Sequence, residues 1–192
     1  MAERKYCAYC ASALRLQVNR HDSVARLTCS QCGAIVYDNP KILVTCFATW
    51  EQRVLWMKRA TAPYKGLWSI PAGFMECGES PQQAVVREVY EETRAELMPE
   101  SLQFYELGTL TDIDQIYLVF RGRLKRPVCE RSDEAEEVAL FAEGEVPWRE
   151  FAYPEIEAAM RQFYRDHARN EYGVYMGQVC GGSHEIFQIP RT

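Results

Sequence analysis

Residues 71 to 96 read PAGFMECGESPQQAVVREVYEETRAE, and in that stretch Glu88, Glu91 and Glu92 sit at spacings that a helix gathers onto one side. At about 100° per residue the three carboxylates fall within roughly 100° of one another, while Val86 and Tyr90 face away from Glu88. Carboxylates placed side by side repel, which costs stability unless a cation sits among them. Hard oxygen ligands suit Mg²⁺ or Mn²⁺, ions that keep several waters and bind best when substrate phosphates supply the remaining ligands. The plainer alternative is a solvated helix face with i,i+4 pairs such as Arg87 with Glu91, and the glycine-bearing loop that leads into the helix counts against it. Ser80 as N-cap, Pro81 at the first helical position and Gln83 completing a capping box place the helix start just after Glu79.

A second set is made of sulfur. Cys7, Cys10, Cys29 and Cys32 form C-x2-C-x18-C-x2-C, in which two tight turns each present two thiolates to one tetrahedral ion. Zn²⁺ with four sulfur ligands has no open coordination position, so this ion is expected to be structural. The alternatives are two disulfides or redox pairs. A reducing compartment disfavours the first, and the second would need a βαβ context that RLQVNRHDSVARLTCSQCG does not resemble. His21, between the cysteine pairs, is read as an exposed loop residue and not a further ligand. Cys46, Cys77, Cys129 and Cys180 share no spacing and are read as buried or incidental thiols.

The elements that must carry these groups follow from periodicity. KILVTCFATW and RVLWMKRA, separated by EQ, are rich in β-branched and aromatic residues and read as a hairpin. A loop with Pro63, Gly66, Pro71 and Gly73 leads to the acidic helix. SLQFYELGTL, QIYLVFRGRLK and EVALFAE read as strands, and YPEIEAAMRQFYRDHARN as an amphipathic helix with Ile156, Met160, Phe163 and Tyr164 on one face. The fold class is α+β, a mixed sheet with helices against it. A chain of 192 residues accommodates one medium domain and a small module. We divide it into a metal-binding module over 1–36, the α+β domain over 37–170 and a C-terminal segment of unassigned role over 171–192, an arm or an edge strand, where Cys180 and His184 also lack a role. Residues 1–41 carry six Lys or Arg against three acids and the remainder sixteen against twenty-four, so a mildly basic module precedes an acidic body. An acidic body is a poor general binder of nucleic acid. No signal-like or membrane-spanning apolar run is present, and a soluble cytoplasmic protein is expected.

Gly73, Glu79, Arg87, Glu88, Val89, Glu91 and Glu92 fall at the intervals of the Nudix box, G-x5-E-x7-R-E-U-x-E-E-x-G-U, where U is bulky and apolar, and the chain resembles the Nudix hydrolases. It departs at the end of the box, where Arg94 replaces the last glycine and Ala95 the last apolar residue. The resemblance implies a Nudix fold preceded by a zinc ribbon, a nucleotide as small-molecule substrate and a homodimer. It further implies divalent metal held by Glu88, Glu91 and Glu92, with the Gly73 carbonyl as a further ligand. Arg87 would orient the neighbouring carboxylates, Glu79 would assist through a metal-bound water, and Glu134 or Glu137 would supply a loop carboxylate. For the last two, a solvated acidic loop is the alternative.

Within the family, the ribbon in front is similar to two groups. NADH pyrophosphatases that also remove NAD caps from RNA carry a downstream SQPWPFPxS signature, which YELGTLTDIDQIYLVF lacks. The other group resembles the FAD pyrophosphatase of plant chloroplasts and its bacterial relatives, and YDNPKILVTC, GLWSIPAGFMECGES and IDQIYLVFRGRL look like its segments. This favours cleavage of FAD to FMN and AMP, or of ADP-ribose, with NADH as the alternative. Trp50, Trp56, Trp68, Phe74, Tyr105 and Tyr117 are the aromatics that can stack on a base, Phe74 foremost because it follows Gly73. Lys58 and Arg59 are candidates for phosphate contact. The competing class is a regulator whose ribbon binds nucleic acid or a partner and whose Nudix domain senses ligand. The ribbon lacks the dense basic and aromatic surface that such binding uses.

Overall fold

The computed structural model describes residues 4–20 and 23–190, so His21 lies outside the described residues. The chain forms two compact units, Met1–Asn39 and Pro40–Thr192. In the first, β1 (Leu14–Val18) and β2 (Ala25–Cys29) pair antiparallel with Leu16 opposite Leu27. Tight turns at each end bring the cysteine pairs forward: Ala11 donates its N–H to the Cys7 carbonyl and Gly33 donates to the Cys29 carbonyl. Ala11 and Gly33 both take positive φ there.

The second unit is built on a mixed sheet. β3 (Lys41–Trp50) turns through Glu51, which takes a positive φ, into β4 (Arg53–Arg59), the hairpin expected from the sequence. β5 (Trp68–Ser69) and β9 (Ala135–Phe141) both pair with β4, and β6 (Ala72–Phe74) pairs with β3. On its other side β3 runs parallel to β8 (Gln115–Arg123), which pairs antiparallel with β7 (Gln103–Leu110). Beyond β7 lie β10 (Tyr175–Cys180), parallel to it, and β11 (Ser183–Gln188). Residues 175–188, which the sequence leaves open between an arm and an edge strand, form the outer hairpin of the sheet.

Strand alternation assigns each face a helix. Val44, Cys46 and Ala48 of β3 and Leu55 of β4 pack with Ala84, Val85 and Val89 of α1 (Pro81–Thr93). Phe47, Val54 and Trp56 point the other way and pack with Met160, Phe163 and Tyr164 of α2 (Glu157–Arg169). Each large apolar side chain so buried contributes about 1.5–3 kcal/mol. The polar edge of Trp56 is satisfied as well, since its Nε1–H donates to the Tyr164 hydroxyl at 3.0 Å, which in turn donates to the Phe141 carbonyl at 2.9 Å.

α1 begins as the sequence predicts. Ser80 accepts from the Gln83 N–H and the Gln83 side chain accepts from the Ser80 N–H, with Pro81 opening the helix. At the other end Arg94 takes the left-handed conformation, φ 56°, and its N–H reaches the Tyr90 carbonyl at 2.8 Å. The helix thus closes as a glycine would close it, at a cost of about 1 kcal/mol for a residue with a Cβ. The Glu130 N–H and the Ser132 hydroxyl cap the last carbonyls, those of Thr93 and Glu92.

Candidate active site

Arg87 is the hub of the acidic helix. Its guanidinium donates to both Glu79 oxygens (2.7 and 3.1 Å), to Glu88 (2.6 Å), to Glu91 (3.1 Å) and to the Phe74 carbonyl (3.1 Å). A planar fork with five donors can hold three carboxylates and a loop carbonyl at once, which a lysine cannot. Glu79 is held below the usual carboxylate range by its bonds from Arg87 and then from the Glu76 N–H. Glu76 donates that N–H to Glu79 at 2.6 Å, so Glu79 joins the Phe74 carbonyl in tying the loop before α1 to Arg87.

Glu88 and Glu92 go the other way. Burial raises Glu88, Arg87 opposes the rise, and the negative charges of Glu91 and Glu134 add to it. Burial pushes Glu92 up to about 8, against the Ala72 N–H that it accepts at 2.8 Å, and Glu88 and Glu134 push it further. Glu88, Glu91, Glu92 and Glu134 therefore share one negative field, the condition that a bound cation relieves. Glu92 is turned into the protein, 5% exposed, and Glu91 is open to solvent. The oxygen-only donor set fits a hard divalent ion, although in this arrangement Glu88 and Glu91 both bond Arg87 Nη1, so the acids are gathered around the guanidinium.

Gly73 is fixed by contact. A Cβ built there would lie 2.1 Å from the Glu88 carboxyl carbon, so glycine alone lets the carboxylate lie against the loop. Phe74, the next residue, is 42% exposed with the Lys41 ammonium 5.3 Å from its ring centroid. The other proposed stacking residues divide sharply. Trp56, Trp68, Tyr105 and Tyr117 are core, and Trp50 is half-buried at the far end of β3. Lys58 and Glu137, adjacent across β4 and β9, bond each other at 3.0 Å. Arg59 donates to the Pro63 carbonyl and its charge reaches Glu92. Glu134 is exposed and makes no ion pair among the described residues.

In the first unit, the Sγ atoms of Cys7, Cys10, Cys29 and Cys32 all lie within 4.8 Å of one another, the one such metal-binding group among the described residues. Cys7 and Cys32 are 3.7 Å apart and Cys10 and Cys29 3.5 Å. A tetrahedron with bonds of about 2.3 Å has sulfurs about 3.8 Å apart, so the set fits Zn²⁺. The Tyr9 N–H reaches Cys7 Sγ, and the Cys32 and Gln31 N–H groups reach Cys29 Sγ and lower it to about 6. Cys32 is pushed up to about 12: the Ala34 N–H favours its thiolate, but the Cys29 and Cys10 sulfurs outweigh it.

The chain belongs to the Nudix family: residues 40–167 match the NUDIX domain and residues 5–38 the Nudix N-terminal zinc ribbon. An ADP-ribose pyrophosphatase of Methanocaldococcus jannaschii is 30% identical over 125 residues, covering 63% of this chain and 73% of that protein. The NAD-capped RNA hydrolase NudC of Pseudomonas aeruginosa is 36% identical over 93 residues, 48% of this chain but only 32% of its own length. The crystal structure of a NUDIX hydrolase from Nitrosomonas europaea superposes with a TM-score of 0.85 at 34% identity, covering 92% of this chain and 99% of that one. No helix among the described residues is long and apolar enough to cross a membrane.

Proposed function

We propose that this protein hydrolyses the diphosphate linkage of a nucleotide, FAD first and ADP-ribose next, with Mg²⁺ or Mn²⁺ at the acidic helix and Zn²⁺ in the ribbon. The observation that carries the reading is the shared field of Glu88, Glu91, Glu92 and Glu134 around the Gly73 loop. A divalent ion bound there supplies charge neutralisation of the phosphate oxygens. Glu88, Glu91 and Glu92 would hold it, with the Gly73 carbonyl as a further ligand, while Glu79 keeps Arg87 in place and Arg87 orients Glu88 and Glu91. Glu134, exposed and without an ion pair among the described residues, is the acid assigned to take the proton of the attacking water. Water adds to one phosphorus and the bridging oxygen leaves with the other phosphate, giving FMN and AMP from FAD, or AMP and ribose 5-phosphate from ADP-ribose. Phe74 is the exposed ring beside the loop and is assigned to stack on the substrate.

ADP-ribose is supported by the archaeal relative, and NADH or an NAD cap by the match to NudC, of which this chain spans about a third. FAD rests on the sequence segments quoted above and on the absence of SQPWPFPxS. The division into ribbon and hydrolase domain, a cytoplasmic location and a homodimer belong to the same reading. The test is kcat/KM for FAD, ADP-ribose and NADH with saturating Mg²⁺, followed for FAD by the fluorescence gained when flavin is freed from adenine. Preference for FAD or ADP-ribose is expected. NADH favoured over both by more than about tenfold, roughly 1.4 kcal/mol of transition-state preference, overturns the substrate assignment and leaves the pyrophosphatase reading standing.

A further inference from the structure

A cavity of about 650 Å³ opens away from the acidic helix, among the β3–β4 turn, the end of β8, residues 98–103 and the last turns of α2. The offset from Val44, which pairs with Gly73, to Thr49 at this cavity is five residues along β3, or roughly 16 Å. The volume is in the range of small-molecule sites, roughly 300–1,000 Å³.

Its wall is held in place by a chain of polar contacts. Arg121 and Arg123 alternate onto the same face of β8. The Arg121 guanidinium stands 3.5 Å from the Tyr172 ring centroid and donates to Gln103. The Tyr172 hydroxyl is 2.6 Å from His167 Nδ1, and His167 Nε2 is 2.6 Å from the Glu51 carbonyl. The His167 ring bridges the Tyr172 hydroxyl and the Glu51 carbonyl through its two nitrogens. Tyr172 is thus pinned, and with it the plane of the guanidinium.

Arg121 is half-buried, and burial pulls its guanidinium below the ordinary arginine range. Lys125, which also lines the cavity, has a carboxylate partner in Glu96, whereas no carboxylate pairs with Arg121 or Arg123 among the described residues. Glu51 and Glu100 line the cavity too, so a net positive field is not what selects a ligand. Selection comes from a preorganised fork with unspent N–H donors, the geometry that matches phosphate oxygens. Trp50 lines the same space and offers a planar apolar surface.

We propose that this cavity is a second nucleotide site, independent of the acidic helix, that takes the phosphate of a nucleoside monophosphate on Arg121 and Arg123 and its base beside Trp50. The test is calorimetric titration with AMP, adenosine, inorganic phosphate and a short single-stranded oligonucleotide in buffer free of Mg²⁺ and Mn²⁺, using wild type, Arg121→Met, Arg123→Ser and Glu91→Gln. AMP should bind, and more tightly than adenosine or phosphate alone. Each arginine substitution should weaken AMP by at least tenfold, about 1.4 kcal/mol, without changing dinucleotide turnover. Glu91→Gln should leave AMP binding intact. Arg123 is exposed, so its variant decides the matter if Arg121→Met fails to fold. The proposal is overturned by any of four results: no AMP binding, equal AMP affinity in wild type and the folded arginine variants, loss of AMP binding in Glu91→Gln, or a single-stranded oligonucleotide preferred over AMP.

Discussion

Glu92→Gln should remove most turnover and at the same time stabilise the protein when no divalent ion is present. The substitution keeps the shape and the acceptor that takes the Ala72 N–H at 2.8 Å, and deletes a charge held 5% exposed. Losing one metal-binding charge should lower kcat by about 10²–10³, roughly 3–4 kcal/mol of barrier. The stability effect has a sign that can be worked out. Glu92 binds its proton more tightly in the folded protein, with a pKa of about 8, than in the unfolded chain. Its contribution is fully present below the unfolded carboxylate range and is lost as pH rises from about 4.5 to about 8, a fall of about 3–5 kcal/mol. Denaturant titration at pH 5 and pH 8.5 should therefore show a large drop for the metal-free wild type and a much smaller one for Glu92→Gln. Burial raises Glu88 as well, so some slope remains. Equal slopes for the two proteins would show that Glu92 is ionised at no unusual cost.

Gly73→Ala should be nearly as damaging through shape alone. The new methyl would meet the Glu88 carboxylate oxygens at 2.2 and 2.3 Å, and that carboxylate is held by Arg87 at 2.6 Å. One of the two must move by about 1 Å, and a misplacement of that size can cost about 10²-fold in rate. Stability should fall by about 1–3 kcal/mol from overpacking. The expected signature is a weaker dependence of rate on Mg²⁺ together with a lower kcat. A kcat and Mg²⁺ dependence close to wild type would mean that Glu88 is not needed where it lies.

The parts of this molecule that local chemistry controls were readable from the sequence. The Ser80–Gln83 capping box, the β3–β4 hairpin and the buried face of α2 each depend on residues a few positions apart. The cysteine spacing likewise reports two turns. Arg94 shows the limit of a motif, since an arginine takes the left-handed cap that the box assigns to glycine. What the sequence did not disclose is tertiary. Among six aromatic stacking candidates the sequence favours Phe74 only by its place after Gly73, and packing is what shows it exposed while Trp56 and Tyr105 are buried. Lys58 and Glu137 are 79 residues apart and meet because β4 and β9 pair.

The outer hairpin could not be told from an arm for a specific reason. Its inward residues are Tyr175, Gly177 and Val179, and the glycine erases the alternation that marks a strand. Gly177 is small because a buried cluster lies over it. A Cβ there would come within 2.4 Å of Glu106, 2.5 Å of the Tyr117 hydroxyl and 2.8 Å of His184. Tyr117 donates to Glu106 at 2.8 Å and lies 3.1 Å from His184 Nε2, so three polar residues from β7, β8 and β11 fasten the hairpin to the sheet.

Cleavage of the diphosphate should depend on a divalent ion held by the acidic helix. The measurement is the rate of FAD and ADP-ribose cleavage as Mg²⁺ is titrated into metal-depleted wild type and Glu91→Gln, with products identified by mass. Glu91 is exposed and touches only Arg87 among the described ion pairs, so its substitution leaves the fold intact. Wild type should be inactive without added ion, recover with Mg²⁺ or Mn²⁺ and yield two phosphomonoesters, while Glu91→Gln stays about 10²-fold slower at saturating Mg²⁺. Turnover that needs no divalent ion, or Glu91→Gln matching wild type at every Mg²⁺ concentration, would contradict it.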